Sequence, residues 1–234
     1  IKEIHFPHSL GLLYSAFTYY LGFKVNSGEY KIMGLAPYGQ AKYSHIIKEN
    51  LIDVKQDGSF KINMKYFSYA TDLTMTNKKF SELFKQPVRK PETELLTQFH
   101  MDIAASIQEV TEEIVIKIAS SLRKETGLTN ICLAGGVALN CVANGKLLEK
   151  KIFNDIWIQP ASGDAGSALG AALVGWHEYL NNPRKVNPSD SMKGTYLGCN
   201  FSNEEIINYL NHINAPFETY QDEELFKKIA LELE

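Results

Sequence analysis

Cysteine is scarce in this chain. Cys132, Cys141 and Cys199 are too few and too scattered for a zinc ribbon or a disulfide framework, and they suit a reducing cytoplasm. Long apolar runs are missing as well: none approaches the roughly 18 residues of a membrane span. There is no excess of positive charge. The 24 Lys and Arg against 27 Asp and Glu leave a net charge of −3, which argues against a general nucleic-acid or anionic-membrane binder. Six histidines are present, but no pair has HxxH or HxxxH spacing on a plausible helix, and His5 and His8 sit on a proline-containing extended segment. A self-contained histidine metal site is therefore not expected. A nucleophile elbow and a Walker P-loop are also lacking.

What remains is an ordinary globular composition. Hydrophobic residues make up 44% and charged residues 22% of 234, enough to bury one large domain or two small ones. The start, IKEIHFPHSL, has no initiator Met and no signal peptide, and the end, LELE, stops inside a helical pattern. The chain reads as a piece cut at both ends.

Ser9 is placed to cap a helix over 10–21, where Leu12, Leu13, Ala16, Phe17 and Tyr20 have helical spacing and Gly22 is the stop. Residues 26–40 (NSGEYKIMGLAPYGQ) hold three glycines and a proline, which predicts a turn-rich segment with backbone open to close approach. Residues 51–54 and 60–63 flank Asp57-Gly58 and read as a hairpin or a looser strand pair. A short helix is expected near 77–85. From Thr97 to Lys124, Phe99, Ile103, Ala104, Ile107, Val110, Ile114, Ile118 and Leu122 form one apolar face, predicting a helix of about 40 Å that Gly127 ends. Asn130–Ala134 reads as a strand buried on both faces, and Ile156–Ile158 as a second strand. Each runs through a glycine-containing turn into a helix, which is an α/β signature. Residues 184–195 are proline-containing and polar, a linker. From Lys193 onward there are three basic and eight acidic residues, so a new unit is expected at 196–234, its first helix opened by a Ser202–Glu205 capping box.

Three segments could carry chemistry. In LAGGVALN (133–140), Gly135 and Gly136 lack Cβ atoms, so a phosphate or ribose can press on the backbone before a helix N-terminus. Asn140 is spaced to return to the same spot with a donor and an acceptor. A plain strand-to-helix turn reads as well. In SGDAG (162–166), Asp164 lies at the C-terminal edge of a strand, where ligands bind in α/β sheets, and its carboxylate suits a cation; Asp is equally a preferred helix cap. Both turns are expected to open on one crevice. In SGEYK (27–31), Gly28 permits close approach, Glu29 offers a carboxylate to hydroxyls and Lys31 a cation to phosphate; a solvated turn is the alternative. Cys132 and Cys141 read as structural, and His100 and His177 as fillers.

FPHSLGLLYSAFTYYLGF, GEYKIMGLAPYG, AASIQEVTEEIV, LAGGVALNCVANGKL and IQPASGDAGSALGAAL, in this order, closely resemble the O-carbamoyltransferases of the nodulation-protein-U and tobramycin carbamoyltransferase group. The resemblance extends into GTYLGCNFSNEEI. It implies that residues 1–183 are the second half of an actin/sugar-kinase-like ATPase fold, similar to the threonylcarbamoyl-transferase subunit, and that 196–234 begin a YrdC-like domain. It implies carbamoyl-adenylate made from carbamoyl phosphate and ATP, then transfer of the carbamoyl group to a hydroxyl of a small-molecule acceptor at an iron or other divalent metal. By motif, Asp164 resembles the carboxylate metal ligand, Gly135, Gly136 and Asn140 the phosphate and ribose contacts, and Gly28 and, more weakly, Lys31 the ribose side. No catalytic side chain is assigned. The family's HxxxH ligand helix and most of the YrdC-like domain have no counterpart here, so this chain alone is expected to be inactive. The implied setting is cytoplasmic, without nucleic acid or membrane, with homodimerisation left open. The rival readings are an actin-fold sugar kinase, a threonylcarbamoyl-transferase relative, or a non-catalytic nucleotide-binding module; GEYKIMGLAPYG favours the first reading.

Overall fold

A computed structural model describes residues 2–189 and 191–234. It is mixed α/β and mostly helical, and it divides into two compact units, Ile1–Pro183 and Arg184–Glu234.

The first unit opens with α1, Leu10–Tyr20. Ser9 caps it by accepting from the Leu12 N–H at 3.2 Å, and Gly22, at φ +76°, turns the chain away. Leu13, Ala16, Phe17 and Tyr20 are at most 1% exposed, so this helix lies inside the core. The expectation of a turn-rich segment at 26–40 is corrected. Glu29–Leu35 form a helix, α2, continued by a 3-10 turn at Ala36–Tyr38. Ile32 and Leu35 are buried, and that burial overrides the glycine content. Two of the segment's three glycines serve the protein's own packing: a Cβ on Gly39 would lie 2.0 Å from the Met101 carbonyl oxygen, and one on Gly28 would lie 2.7 Å from that of Lys24.

A short turn, α3 (Ser44–Ile46), leads to the expected hairpin. Its strands β1 (Ile52–Val54) and β2 (Phe60–Ile62) pair antiparallel, with Ile52 opposite Ile62 and Val54 opposite Phe60. The short helix expected near 77–85 is α4, Lys78–Phe84, capped by Asn77. Phe80 and Phe84 meet Phe17 and Tyr20 with ring centroids 4.9–6.0 Å apart, mostly edge to face.

The spine of the unit is α5, Gln98–Thr126, 29 residues and about 43 Å at 1.5 Å per residue. Gly127 ends it in the left-handed region. His100 is not a filler, as expected, but a capping residue: its Nδ1 accepts the Thr97 N–H at 3.0 Å. Ile103, Ile107, Val110 and Ile114 on the apolar stripe are fully buried.

Strand β3 (Asn130–Leu133) pairs in parallel with β4 (Asp155–Ile158), with α6 (Cys141–Glu149) crossing between them. β3 is not buried on both faces. Ile131, Leu133 and Ile156 pack on a small core of Ala119, Leu147 and Phe153, while Cys132 and Trp157 on the other face are exposed. One layer of helix covers this sheet, so alternate residues stay open. Cys132, expected to be structural, is exposed for that reason, and Cys141, also expected to be structural, is exposed at the first residue of α6. After β4 comes α7, Asp164–Val174, with no buried residue.

The second unit holds α8 (Asn203–His212) and α9 (Asp222–Leu233). The expected capping box forms: Ser202 Oγ accepts from the Glu205 N–H at 3.2 Å, and a Glu205 carboxylate oxygen accepts the Ser202 N–H at 2.7 Å. None of this unit's described residues is buried.

Candidate functional site

The first unit carries a crevice of about 530 Å³. Tyr14 and Ser15 of α1 and Thr111 of α5 line it, with Asn26 and Ser27 just before α2 and Glu29 and Tyr30 in its first turn. From the two strand-to-helix turns come Gly136, Val137, Asn140, Gly163 and Asp164. The expectation that both turns open on one crevice holds for Gly136, Asn140 and Asp164. The turns are joined by the Gly135 N–H, which donates to the Ser162 carbonyl at 2.8 Å. Parallel pairing places both turns at the same end of the sheet, which is why two segments about 25 residues apart meet.

Gly135 needs its glycine for conformation, with φ +98°, and it does not line the crevice. Gly136 does line it, and a Cβ there would meet nothing within 4 Å, so its backbone is open to a ligand. A 3-10 turn at Gly136–Leu139 follows, and the helix expected to run on from the glycines starts only at Cys141. Asn140 is the break. Its φ/ψ of −75°/88° is non-helical, and its Oδ1 accepts from the Ala143 N–H at 3.0 Å, capping α6. Its amide also faces that of Gln108: Asn140 Nδ2 donates to Gln108 Oε1 at 2.9 Å, and Gln108 Nε2 donates to Asn140 Oδ1 at 3.1 Å. The expected availability of both a donor and an acceptor is thereby corrected, since Oδ1 is used twice.

Asp164 is exposed and is the first residue of α7, not its cap; Gly163 holds the cap position without a side-chain bond. A carboxylate there is favoured by the helix N-terminus. The second glycine of SGDAG has a packing role that the sequence did not disclose: a Cβ on Gly166 would lie 2.0 Å from the Ala161 carbonyl oxygen.

The SGEYK residues divide. Glu29 lines the crevice, and its Oε1 accepts from Ser15 Oγ at 2.7 Å and the Asn26 N–H at 2.9 Å. Gly28 is buried against its own chain and lies outside the lining. Lys31 lies outside it too, with its ammonium 5.9 Å and 6.0 Å from the ring centroids of Phe23 and Tyr30. Of the three residues singled out in this segment, Glu29 lines the crevice and Gly28 and Lys31 do not.

Sequence reasoning missed Tyr14, Ser15, Thr111 and Gln108. Their signal was polarity inside apolar stripes: Gln108 and Thr111 are 4% and 1% exposed between fully buried Ile107 and Ile114. Tyr14 O–H donates to Gln108 Oε1 at 3.0 Å. Burial pushes its phenol well above the ordinary range, the Glu112 and Glu29 carboxylates add to this, and the Asn140 amide opposes it. Tyr14 is thus a neutral hydroxyl at any physiological pH.

An iron or other divalent centre, implied by the resemblance, is not matched by these residues. Among the described residues no group of three or more His, Cys, Asp or Glu side chains could hold a metal. The crevice lining supplies the carboxylates of Asp164 and Glu29 only, and one Glu29 oxygen already accepts two hydrogen bonds.

The family described as Carbamoyltransferase N-terminus matches residues 1–173. The chain belongs to that carbamoyltransferase family. Among its relatives, an uncharacterized protein of Synechocystis sp. is 63% identical over 230 residues, which are 97% of this chain and 37% of that protein. The nodulation protein NolO of Bradyrhizobium diazoefficiens is 37% identical over 204 residues, 86% of this chain and 34% of that protein. A nodulation protein U, from Azorhizobium caulinodans, is 29% identical over 100 residues, 43% of this chain and 17% of its own length. The chain thus spans about a third of the length of the relatives it matches most fully. The family match ends at residue 173, so every residue of the crevice falls within the carbamoyltransferase N-terminal region. Among the described residues no helix is long and apolar enough to cross a membrane.

Proposed function

We propose that this carbamoyltransferase segment forms one wall of the site at which a carbamoyl group, carried as carbamoyl-adenylate made from ATP and carbamoyl phosphate, is transferred to a hydroxyl of a small-molecule acceptor. The observation that supports this reading is the convergence of Gly136, Asn140 and Asp164 with Glu29 around one crevice. On this reading residues 1–183 are the second half of an actin-like ATPase fold, and 196–234 open a YrdC-like domain where the adenylate is formed.

Open backbone at Gly136 and the Asn140 amide, at the head of α6, suit the negative oxygens of a nucleotide phosphate. Glu29, held by Ser15, suits a ligand hydroxyl. An acyl group already activated as its adenylate asks mainly to be oriented beside the attacking oxygen while water is kept away. Orientation is what a crevice of fixed hydrogen-bonding groups supplies. The iron of the family resemblance would draw on Asp164 alone from this chain, and no step is assigned to it.

The test uses the full-length protein. Pyrophosphate release dependent on ATP and carbamoyl phosphate is measured beside transfer of labelled carbamoyl to a panel of sugar acceptors. Asp164→Ala is expected to abolish transfer and leave pyrophosphate release largely intact, because the two steps lie in different domains. Transfer by Asp164→Ala at the wild-type rate would remove Asp164 from the site. The 234-residue chain alone is expected to transfer nothing.

A further inference from the structure

Successive N–H groups of an antiparallel strand point alternately toward and away from the partner strand. In the hairpin, the Asn63 N–H turns inward to the Leu51 carbonyl at 2.9 Å, so the Ile62 N–H points to the outer edge of β2. Ile62 is 2% exposed, and this N–H needs a partner there. The partner is a side chain: His8 Nδ1, half-buried, accepts it at 3.1 Å. A backbone N–H can only donate, so Nδ1 carries no proton and the ring proton sits on Nε2.

His8 comes directly before the cap of α1. Ser9, Gly11 and Leu12, that cap and the first turn, line the crevice, and a Cβ on Gly11 would lie 3.7 Å from Val137 Cγ2 on its other side. A second tie on the same segment is the Tyr69 O–H, which donates to the Pro7 carbonyl at 2.8 Å. Burial pushes that phenol up to about 12, so it stays a neutral donor. The imidazole is the side chain that changes charge between about pH 5 and pH 8. A proton on Nδ1 would set donor against donor at Ile62.

His8 also lines a second cavity, of about 470 Å³, beside the hairpin. Lys48 and Glu49 face it from the turn at Ile47–Leu51, Asp53 from β1 and Lys61 from β2. Lys48 is paired with Glu113 at 2.9 Å and Asp53 with Lys55 at 2.6 Å. On its own segment the neighbouring titratable residue is His5, whose carbonyl accepts the His8 N–H at 3.0 Å. Both signs of charge surround the ring, so the element that responds to a proton is the Ile62 hydrogen bond.

We propose that His8 is a positioning residue and a pH-sensitive tie: in its neutral form it fastens the start of α1 to the outer edge of β2, and protonation frees the wall of the crevice formed by Ser9, Gly11 and Leu12. For nucleotide binding the consequence rests on the reading above; the tie itself does not.

The experiment follows hydrogen exchange in the full-length protein, corrected for its intrinsic pH dependence, in peptides spanning 9–14 and 60–64, with ATP binding by calorimetry at the same pH values. His8→Asn keeps an acceptor on Cγ, where Nδ1 is attached, and does not titrate; His8→Leu removes the acceptor. Leaving one buried N–H without its partner predicts exchange in wild type about tenfold faster in both peptides on going from about pH 7.5 to about pH 5.5. His8→Asn should stay slow at both pH values, and His8→Leu should be fast at both. ATP binding by wild type should weaken at the lower pH more than binding by His8→Asn. Equal exchange in wild type and His8→Asn at both pH values would overturn the tie. Acceleration confined to 60–64, with 9–14 and ATP affinity unchanged, would overturn the positioning role. If His8→Leu does not fold, wild type and His8→Asn decide. A wild-type protein that binds no ATP at either pH would overturn the nucleotide reading, while the exchange of the two peptides still decides the tie.

Discussion

Asp102 is the buried charge on which the N-terminal turn of α5 depends. Its side chain is 5% exposed. It accepts from the Gln40 N–H at 2.8 Å, from Lys42 Nζ at 2.8 Å and from Gln98 Nε2 at 2.9 Å. Burial works to raise its pKa, but the hydrogen bonds from Lys42, Gln98 and the Gln40 backbone outweigh it and hold the carboxyl below its usual range. The linkage has one sign. A folded-state pKa below the unfolded value of about 3.9 stabilises the fold at every pH above that value, and the contribution disappears as pH falls through the folded pKa. Wild-type protein is therefore expected to lose stability below about pH 4 more steeply than Asp102→Asn, with the two curves converging in acid. Urea denaturation from pH 3 to 7 measures this. Parallel curves would remove Asp102 from the acid response. Asp102 lies in the segment that anchors Gln40 and Lys42, next to the helix that carries Glu29, so the loss is expected to reach the crevice.

At the scale of elements, two glycines near the long helix α5 look alike in sequence and differ in kind. Gly127 follows the helix at φ +68°, and a Cβ there would meet nothing within 4 Å, so Ala costs backbone strain only, about 1 kcal/mol. Gly39 has φ −111°, which any residue adopts, but a Cβ would lie 2.0 Å from the Met101 carbonyl oxygen and 2.7 Å from the Asp102 nitrogen. Those are backbone atoms of α5 and have no rotamer to change. Gly39→Ala is expected to cost at least about 1–3 kcal/mol, more than Gly127→Ala, by pushing the turn after α2 off α5. Denaturant midpoints of the two variants rank them. The reverse order would mean that the approach of Gly39 to α5 is not a feature of the folded protein in solution.

For the molecule as a whole, the family assignment and the division into units have different physical bases. The carbamoyltransferase match ends at residue 173, while the compact unit runs to Pro183. Residues 181–187 have no regular secondary structure, and Arg184 and Lys185 are exposed. Asn182 is tied back to the Trp176 carbonyl through its N–H at 3.2 Å, but Arg184 and Lys185 are exposed and lie outside any helix or strand, so brief trypsin treatment is expected to cut first after Arg184 or Lys185 and leave the N-terminal unit intact. Mass spectrometry of the early products identifies the site. First cuts within 10–126 would show that the aromatic core around Phe17 and Phe80 does not hold the N-terminal unit closed.

Local rules made much of the architecture legible in the sequence. Ser9 and Gly22 bracket α1, Gly127 ends α5, Asp57-Gly58 turns the hairpin, and Ser202 with Glu205 starts α8. Each of these depends on local sequence, where caps, turn preferences and periodicity act. What lay beyond that range was decided by tertiary contact. The helix at Glu29–Leu35 exists because Ile32 and Leu35 find a core, although its glycines argue for turns. Exposure of Cys132 and Trp157 depends on which face of β3 and β4 a helix covers, and strand composition does not say. In the candidate site, Gly136, Asn140 and Asp164 announced themselves through glycine and the strand-to-helix pattern. The roles of Gly28 and Gln108 did not, because one is set by the Lys24 carbonyl that packs against it and the other by an asparagine 32 residues away.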